Sequence, residues 1–259
     1  MPSASPAPPA SAAAPASPAG SLTERRKAAT RMEIARAAAG LFAGQGLRAT
    51  RAEDIAQAAG IAPRTFYRYF ATKEESVAPL YAAGAQRWAQ AVRDAPAGLT
   101  VPEALEYAVR HTFTPGAGVS AASWEWVRTL VRLAETSPSL GRVWAEVGRT
   151  SERDLAEVLA ARTARGDGDG GPGAGPGAGA GDGGHGGPGD AADNVADEAA
   201  APAPPSPALR FAAAVASVAV RVAVEAWAAG DAPAGGSGGP AALALGNLAA
   251  LREFRWEEL

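Results

Sequence analysis

The 259-residue sequence contains no cysteine. Disulfides and thiolate metal sites are thereby excluded, and the chain suits a reducing interior. Histidine is almost as scarce: His111 and His185 are too few to build a histidine metal centre. No segment shows sustained period-two alternation, so no strand is expected. A nucleophile–base pair, a phosphate-binding loop and a metal-ligand cluster are all missing, and neither an enzyme nor a cofactor or metal is expected. The first twenty residues, "MPSASPAPPASAAAPASPAG", lack the charged and apolar regions of a signal peptide. The most apolar run, "FAAAVASVAVRVAVEAWAAG" (211–230), carries Arg221 and Glu225 and is largely alanine. It reads as a buried helix and not as a membrane span, so no membrane partner is expected and the location is taken as cytoplasmic.

What is present is helical grammar between two low-complexity stretches. Residues 1–20 are almost entirely Ala, Pro and Ser, and a disordered tail is expected there. Residues 166–190 hold 14 glycines, and Ala, Pro and Asp dominate from there to about 207, which reads as a disordered insertion. Elsewhere Ala, Leu, Arg and Glu dominate and the punctuation is that of helix ends. A first helix is expected over about 23–44, stopped by "GQG". A second opens at "TRAE", with Thr50 and Glu53 as a capping box, and ends at Gly60. A third starts at Pro63. Thr72 to Glu75 opens a fourth reaching about 93, and Thr100 to Glu103 a fifth. Further helices follow over about 121–135, from Ser137 to about 165, from Pro207, and from Pro240. With 47% hydrophobic residues to bury, the expectation is an all-α protein. It divides into a helix-turn-helix head over 21–75 and a helical regulatory and dimerisation domain over 76–259, interrupted by the insertion.

Charge is distributed unevenly. Residues 21–73 carry ten Lys or Arg against four acids, +6, so the remainder carries −9 to give the overall −3. A basic N-terminal third on an acidic body is the footprint of a polyanion partner. Within it, "GIAPRTFYRYFATKEE" (60–75) places Phe66 and Phe70 on one helical face and Arg64 and Arg68 on the opposite one. The preceding turn "AGIA" contains Gly60, with Ile61 available to plug the joint. This is the arrangement in which a second helix enters the major groove of DNA. An arginine fork matches the O6 and N7 acceptors of guanine, so Arg64 and Arg68 are candidate base readers. Tyr67 offers a ring edge to a thymine methyl. Thr50 and Lys73 stand at the expected helix starts, where free N–H groups meet phosphate oxygens, and Thr65 lies on the rim of the exposed face. The same two arginines could instead be an idle solvated face.

The order of an apolar helix, "LF" (41–42), "DIA" (54–56), "AG" (59–60), "TFYRYF" (65–70) and Lys73 resembles the DNA-binding domain of the TetR family of bacterial transcriptional regulators, through about residues 28–76. The resemblance implies base contact from Arg64, Tyr67 and Arg68, and phosphate contact from Thr50, Thr65, Tyr69 and Lys73. It further implies a homodimer on palindromic operator DNA, most often a repressor, with an all-α domain that takes a small-molecule effector. "VRTLVRLAETSPSLGRVW" and "RVAVEAWAAG" are weakly similar to the actinobacterial mycofactocin-regulator-like branch, some of whose members respond to acyl-CoA. A small apolar or acyl-type ligand is therefore the expectation.

For that ligand the candidate pocket residues are Tyr107, His111, Phe113, Trp124, Trp126, Leu130 and Trp144, since ligand cavities are lined by large apolar groups. Arg128 and Arg132, one turn apart, could receive an acidic group or form a solvated face. The last two helices show more apolar surface than a thin bundle buries. Val215, Val218, Val222, Trp227, Leu243, Leu248 and Leu251 are the candidate dimer interface. A ligand among the middle helices would swing the fourth helix and change the spacing of the recognition helices. The rival reading is a small-molecule sensor or scaffold with weak, non-specific DNA binding.

Overall fold

The structure is a computed structural model, and it describes residues 21–114, 121–168 and 204–250. Among these residues the secondary structure is entirely helical: α1 (Leu22–Gln45), α2 (Ala52–Ala58), α3 (Pro63–Tyr69), a 3-10 turn (Glu75–Val77), α4 (Ala78–Asp94), α5 (Val101–Phe113), α6 (Ala121–Thr136), α7 (Pro138–Gly168), α8 (Pro207–Ala229) and α9 (Pro240–Ala249). The all-α expectation is met. The expected tail, most of the expected insertion and His185 lie outside the described residues.

Helix boundaries follow local chemistry. Ser21 caps α1 by accepting from the Glu24 N–H at 3.3 Å. Gly46 ends it at φ 85°, a left-handed value that a side chain resists, with its N–H returned to the Phe42 carbonyl at 3.1 Å. At Thr100 the expected capping box forms, with Glu103 accepting from the Thr100 N–H at 2.9 Å and from its hydroxyl at 2.8 Å. Two starts differ from expectation. The second helix opens at Ala52, because Asp54 and not Glu53 accepts the Arg51 N–H, at 2.8 Å. The Thr72 hydroxyl does accept the Glu75 N–H, at 3.2 Å, but the turn it caps is 3-10, and α4 proper begins at Ala78. α7 runs on to Gly168, three residues into the glycine-rich stretch.

The head has its own core. Ile34, Ala38 and Phe42 of α1, Ile55 and Ala56 of α2, and Phe66 and Phe70 at α3 are buried together with Val77. Tyr81 of α4, Leu130 of α6 and Leu140 of α7 close the same cluster, so head and body pack continuously through α4. A second core joins Trp88 and Val92 of α4, Leu105 and Val109 of α5, Leu155 and Leu159 of α7, and the inward faces of α8 and α9. By length and mean hydropathy α8 would suffice to cross a membrane. Here, however, Leu209, Ala213, Ala216, Val220 and Val224 along one side are buried against protein.

The C-terminal end of α8 is held from α6. Arg128 donates to the Ala232 carbonyl and lies over the Trp227 ring, 4.4 Å from its centroid. Arg132 donates to the carbonyls of Ala228 and Gly230 and to the Asp231 carboxylate. Cations at a helix C-terminus satisfy carbonyls that have no partner within the helix and oppose the helix dipole. Of the two readings the sequence had left open, Arg132 does receive an acid, Asp231 of this chain, and the pair locks α6 to the end of α8.

Candidate nucleic-acid interface and ligand cavity

α3 is set by its turn and its buried rings. Gly60 takes φ 67°, the Ile61 N–H returns to the Ala56 carbonyl at 2.9 Å, and Pro63 occupies the first helical position. Phe66 and Phe70 are buried, with ring centroids 5.8 Å apart. That orientation forces Arg64, Tyr67 and Arg68 outward, and all three are exposed. The Tyr67 hydroxyl donates to Glu53 at 3.4 Å, and the Glu53 carboxylate beside it raises the phenol's pKa above its ordinary value. Glu53 thus orients the tyrosine, a partner that sequence reasoning assigned to a helix cap. The Arg68 guanidinium carbon lies 5.4 Å from the Tyr69 ring centroid, and Thr65 and Tyr69 are half-buried at the rim.

Thr50 requires a correction. It is fully buried, its hydroxyl donating to the Gly46 carbonyl at 2.9 Å and accepting from Gln45 Nε2 at 3.2 Å. With α2 beginning two residues later, Thr50 closes the α1–α2 loop and its side chain cannot meet a phosphate. Lys73 sits differently from the sequence picture as well. Its Nζ donates to the carbonyls of Leu47 and Thr50, both at 2.7 Å, and so ties the loop after α3 to the loop before α2. Two of its three protons are committed there. Arg31, overlooked in the sequence, ties α1 to the end of α3 through the Tyr69 carbonyl at 3.0 Å. Nothing in a helical periodicity marks such long-range ties to backbone.

Residues 34–77 match the family described as bacterial regulatory proteins, tetR family. The head thus carries a DNA-binding domain of the tetR type over these residues. The family resemblance read from "TFYRYF" is thus matched over residues 34–77 of the head. Among curated relatives, the HTH-type transcriptional regulator TcmR of Streptomyces glaucescens is 31% identical over 143 residues, 54% of this chain and 63% of that protein. The HTH-type transcriptional repressor KstR2 of Mycobacterium tuberculosis is 51% identical over 47 residues, 18% of this chain and 24% of that protein. The chain thus spans less than two thirds of the curated relatives it matches. These relatives are regulators, and the enzyme reading is set aside. Among solved structures, a TetR-family transcriptional repressor, FadR of Thermus thermophilus in complex with lauroyl-CoA, aligns at a TM-score of 0.46. It is 22% identical, over 85% of this chain and 92% of that one.

Behind the head lies a cavity of about 1010 Å³. Of the expected pocket residues, Phe113, Trp124, Trp126, Leu130 and Trp144 line it. Tyr107 and His111 do not. They stack on each other on another face of α5, centroids 4.0 Å apart, and His111 Nδ1 donates to the Tyr107 carbonyl at 3.2 Å. The sequence expected α4 at the ligand without naming its residues, and it missed the walls from α8 and α1. α4 contributes Tyr81 and Trp88, α8 contributes Val220, Arg221 and Val224, and α1 contributes Met32 and Arg36. Burial holds Tyr81 well above the ordinary tyrosine range, and its hydroxyl donates to the Leu130 carbonyl at 2.9 Å. Trp144 is positioned by an Nε1 bond to Glu225 at 2.8 Å, and Arg221 pairs with the same carboxylate at 3.1 Å.

The expected dimer residues divide. Val218 and Val222 are 39% and 44% exposed on the outer side of α8, with Val215 half-buried between them and Phe211, which sequence reasoning omitted, 55% exposed at the end of the row. Trp227 is instead a core residue, edge-on to Trp124 at 5.4 Å. Leu248 is buried in the α5–α8–α9 core, and Leu243 is half-buried against it. α9 turns its leucines inward because it is the outermost layer and has only that core to cover them. Leu251 lies outside the described residues.

Proposed function

We propose that this protein is a ligand-responsive, dimeric transcriptional regulator, acting as a repressor in the cytoplasm. α3 enters the major groove of palindromic operator DNA, with Arg64, Tyr67 and Arg68 at base edges and Thr65, Tyr69 and Lys73 near phosphates. The observation that carries this reading is the outward Arg64–Tyr67–Arg68 face, set by two buried phenylalanines on the opposite side of α3. Repression follows the name of KstR2, a relative 51% identical over 47 residues. The outer row of α8, Phe211, Val215, Val218 and Val222, is the proposed two-fold contact, since a heptad-spaced apolar row seeks a like row. An organic effector with a large apolar body fills the cavity. Because α1 and α4 both line that cavity and both belong to the head's core, filling it moves the recognition helices. Coupling of this kind is typically about 1–3 kcal/mol.

The test is selection of bound genomic fragments by the purified protein, beside an Arg64→Ala/Arg68→Ala double variant. A palindromic motif enriched by the wild type and lost in the variant is the expected result. Weak binding indifferent to sequence would replace this reading with the sensor or scaffold.

A further inference from the structure

α1 is longer than its core requires. It begins at Leu22, yet its first buried side chain is Ile34, and every residue from Ser21 to Ala29 is exposed. At 1.5 Å per residue the twelve residues before Ile34 form an arm about 18 Å long. An isolated helical stretch of this length is marginal in water, and only its last turn, at Thr30–Met32, gains packing here. The arm carries Arg25, Arg26, Lys27 and Arg31 against Glu24 and Glu33, a net +2. The Lys27–Glu24 pair is long, 4.0 Å, with both side chains more than half exposed, so it holds the lysine only loosely.

The arm's root is fixed beside the recognition helix. Arg31 Nη1 donates to the Tyr69 carbonyl at 3.0 Å, and its guanidinium carbon lies 4.6 Å from the Phe70 ring centroid. Arg31 is thus seated at the end of α3, next to Arg68. Lys27 stands one helical turn before Arg31 on the same side of α1, and Arg25 and Arg26 follow outward. The family match begins only at residue 34, beyond the arm. A pinned, uncovered, positively charged helix beside a DNA-reading face calls for a polyanion of regular spacing.

We propose that the arm Leu22–Glu33 lies along duplex DNA flanking the half-site, with Arg25, Arg26 and Lys27 neutralising backbone phosphates and reading no bases. This rests on the reading of α3 as the recognition helix. The arm's reach, about 18 Å, corresponds to roughly five base pairs at 3.4 Å each.

The test uses the full chain and an R25Q/R26Q/K27Q variant, glutamine being nearly as good a helix former as lysine or arginine. Binding is measured across a salt series on the selected palindrome alone and on the palindrome extended by about five base pairs at each end. Each phosphate contact contributes about 0.9 to the slope of log affinity against log salt. With three cations on each of two subunits, the wild type's slope on the extended duplex should be steeper than the variant's by about 3–5. On the short duplex the difference should largely vanish, and both proteins should enrich the same motif. Equal slopes on the extended duplex, or a changed motif in the variant, would overturn the arm's assignment while leaving α3 in place. A wild type that bound no duplex would instead remove the reading of α3, and the arm with it.

Discussion

Replacing Lys73 by methionine separates two roles that the sequence cannot distinguish. In the structure its Nζ donates to two backbone carbonyls, Leu47 and Thr50, both at 2.7 Å. Bonds to a charged donor contribute about 1.5–3 kcal/mol each. Lys73 is only half-buried, so the lower end applies, and two bonds come to about 3 kcal/mol. For a domain of this size about 1 kcal/mol shifts the melting temperature by roughly 2–4 °C, so K73M should melt about 6–12 °C lower with no DNA present. A lysine that only met phosphate would behave otherwise: exposed surface substitutions fall within about 0.5 kcal/mol, and the loss would be seen only in binding. Thermal unfolding of the DNA-free protein by circular dichroism decides between them. A midpoint within about 2 °C of wild type would refute the staple.

Replacing Arg68 by alanine should cost about 1–3 kcal/mol on the selected operator and relax one base position per half-site, checked by repeating the selection with the variant. A V218E/V222E variant places two charges on the outer row of α8; sedimentation should then report monomers, and operator affinity should collapse with the loss of the second half-site. Gly40 has no Cβ where one would lie 3.1 Å from the Trp126 ring, so G40V should push α1 from α6 and change effector-induced release while the isolated variant still binds its operator. The effect is read by titrating effector against a bound operator. Tyr81 is neutral and raised above the ordinary 10.0 by burial. Its raised folded-state pKa means stability is full below pH 10 and falls as pH rises further, because the unfolded phenol ionises first. Urea unfolding between pH 9 and about 11 should show that fall, and Y81F should flatten it.

Most of the head was legible because its signals are local. Phe66 and Phe70 against Arg64 and Arg68 is a statement about 100° steps, and Gly60 with Pro63 is a statement about allowed backbone angles. The burial of Thr50 and the loop staple at Lys73 were missed for one cause. Both residues bond to carbonyls of loops whose approach is a tertiary matter, and a threonine or lysine at a helix boundary looks the same whether it faces solvent or a neighbouring loop. The cavity was half-legible for a similar reason. Aromatic residues on α6 and α7 announced it, but Tyr107 and His111 had no mark to show that their side of α5 turns away from it. In the dimer candidates, apolar content could not separate Trp227, buried beneath Arg128, from Val222, exposed on the opposite side of the same helix.

What the sequence could not show at all is that α1 serves three neighbours at once. Ile34, Ala38 and Phe42 hold the head's core, while Met32 and Arg36 form part of the cavity wall and Gly40 lets Trp126 of α6 approach. Arg31 fastens the same helix to the end of α3. A molecule that fills the cavity therefore presses on a helix that is already bonded to the recognition helix, with no intervening segment to absorb the movement. Because cores are close-packed and resist gradual deformation, a displacement at Trp126 or Arg36 must either be refused or be carried to Tyr69. On the proposed reading, the most direct contact path from the cavity to α3 therefore runs through α1, beside α4, the expected lever.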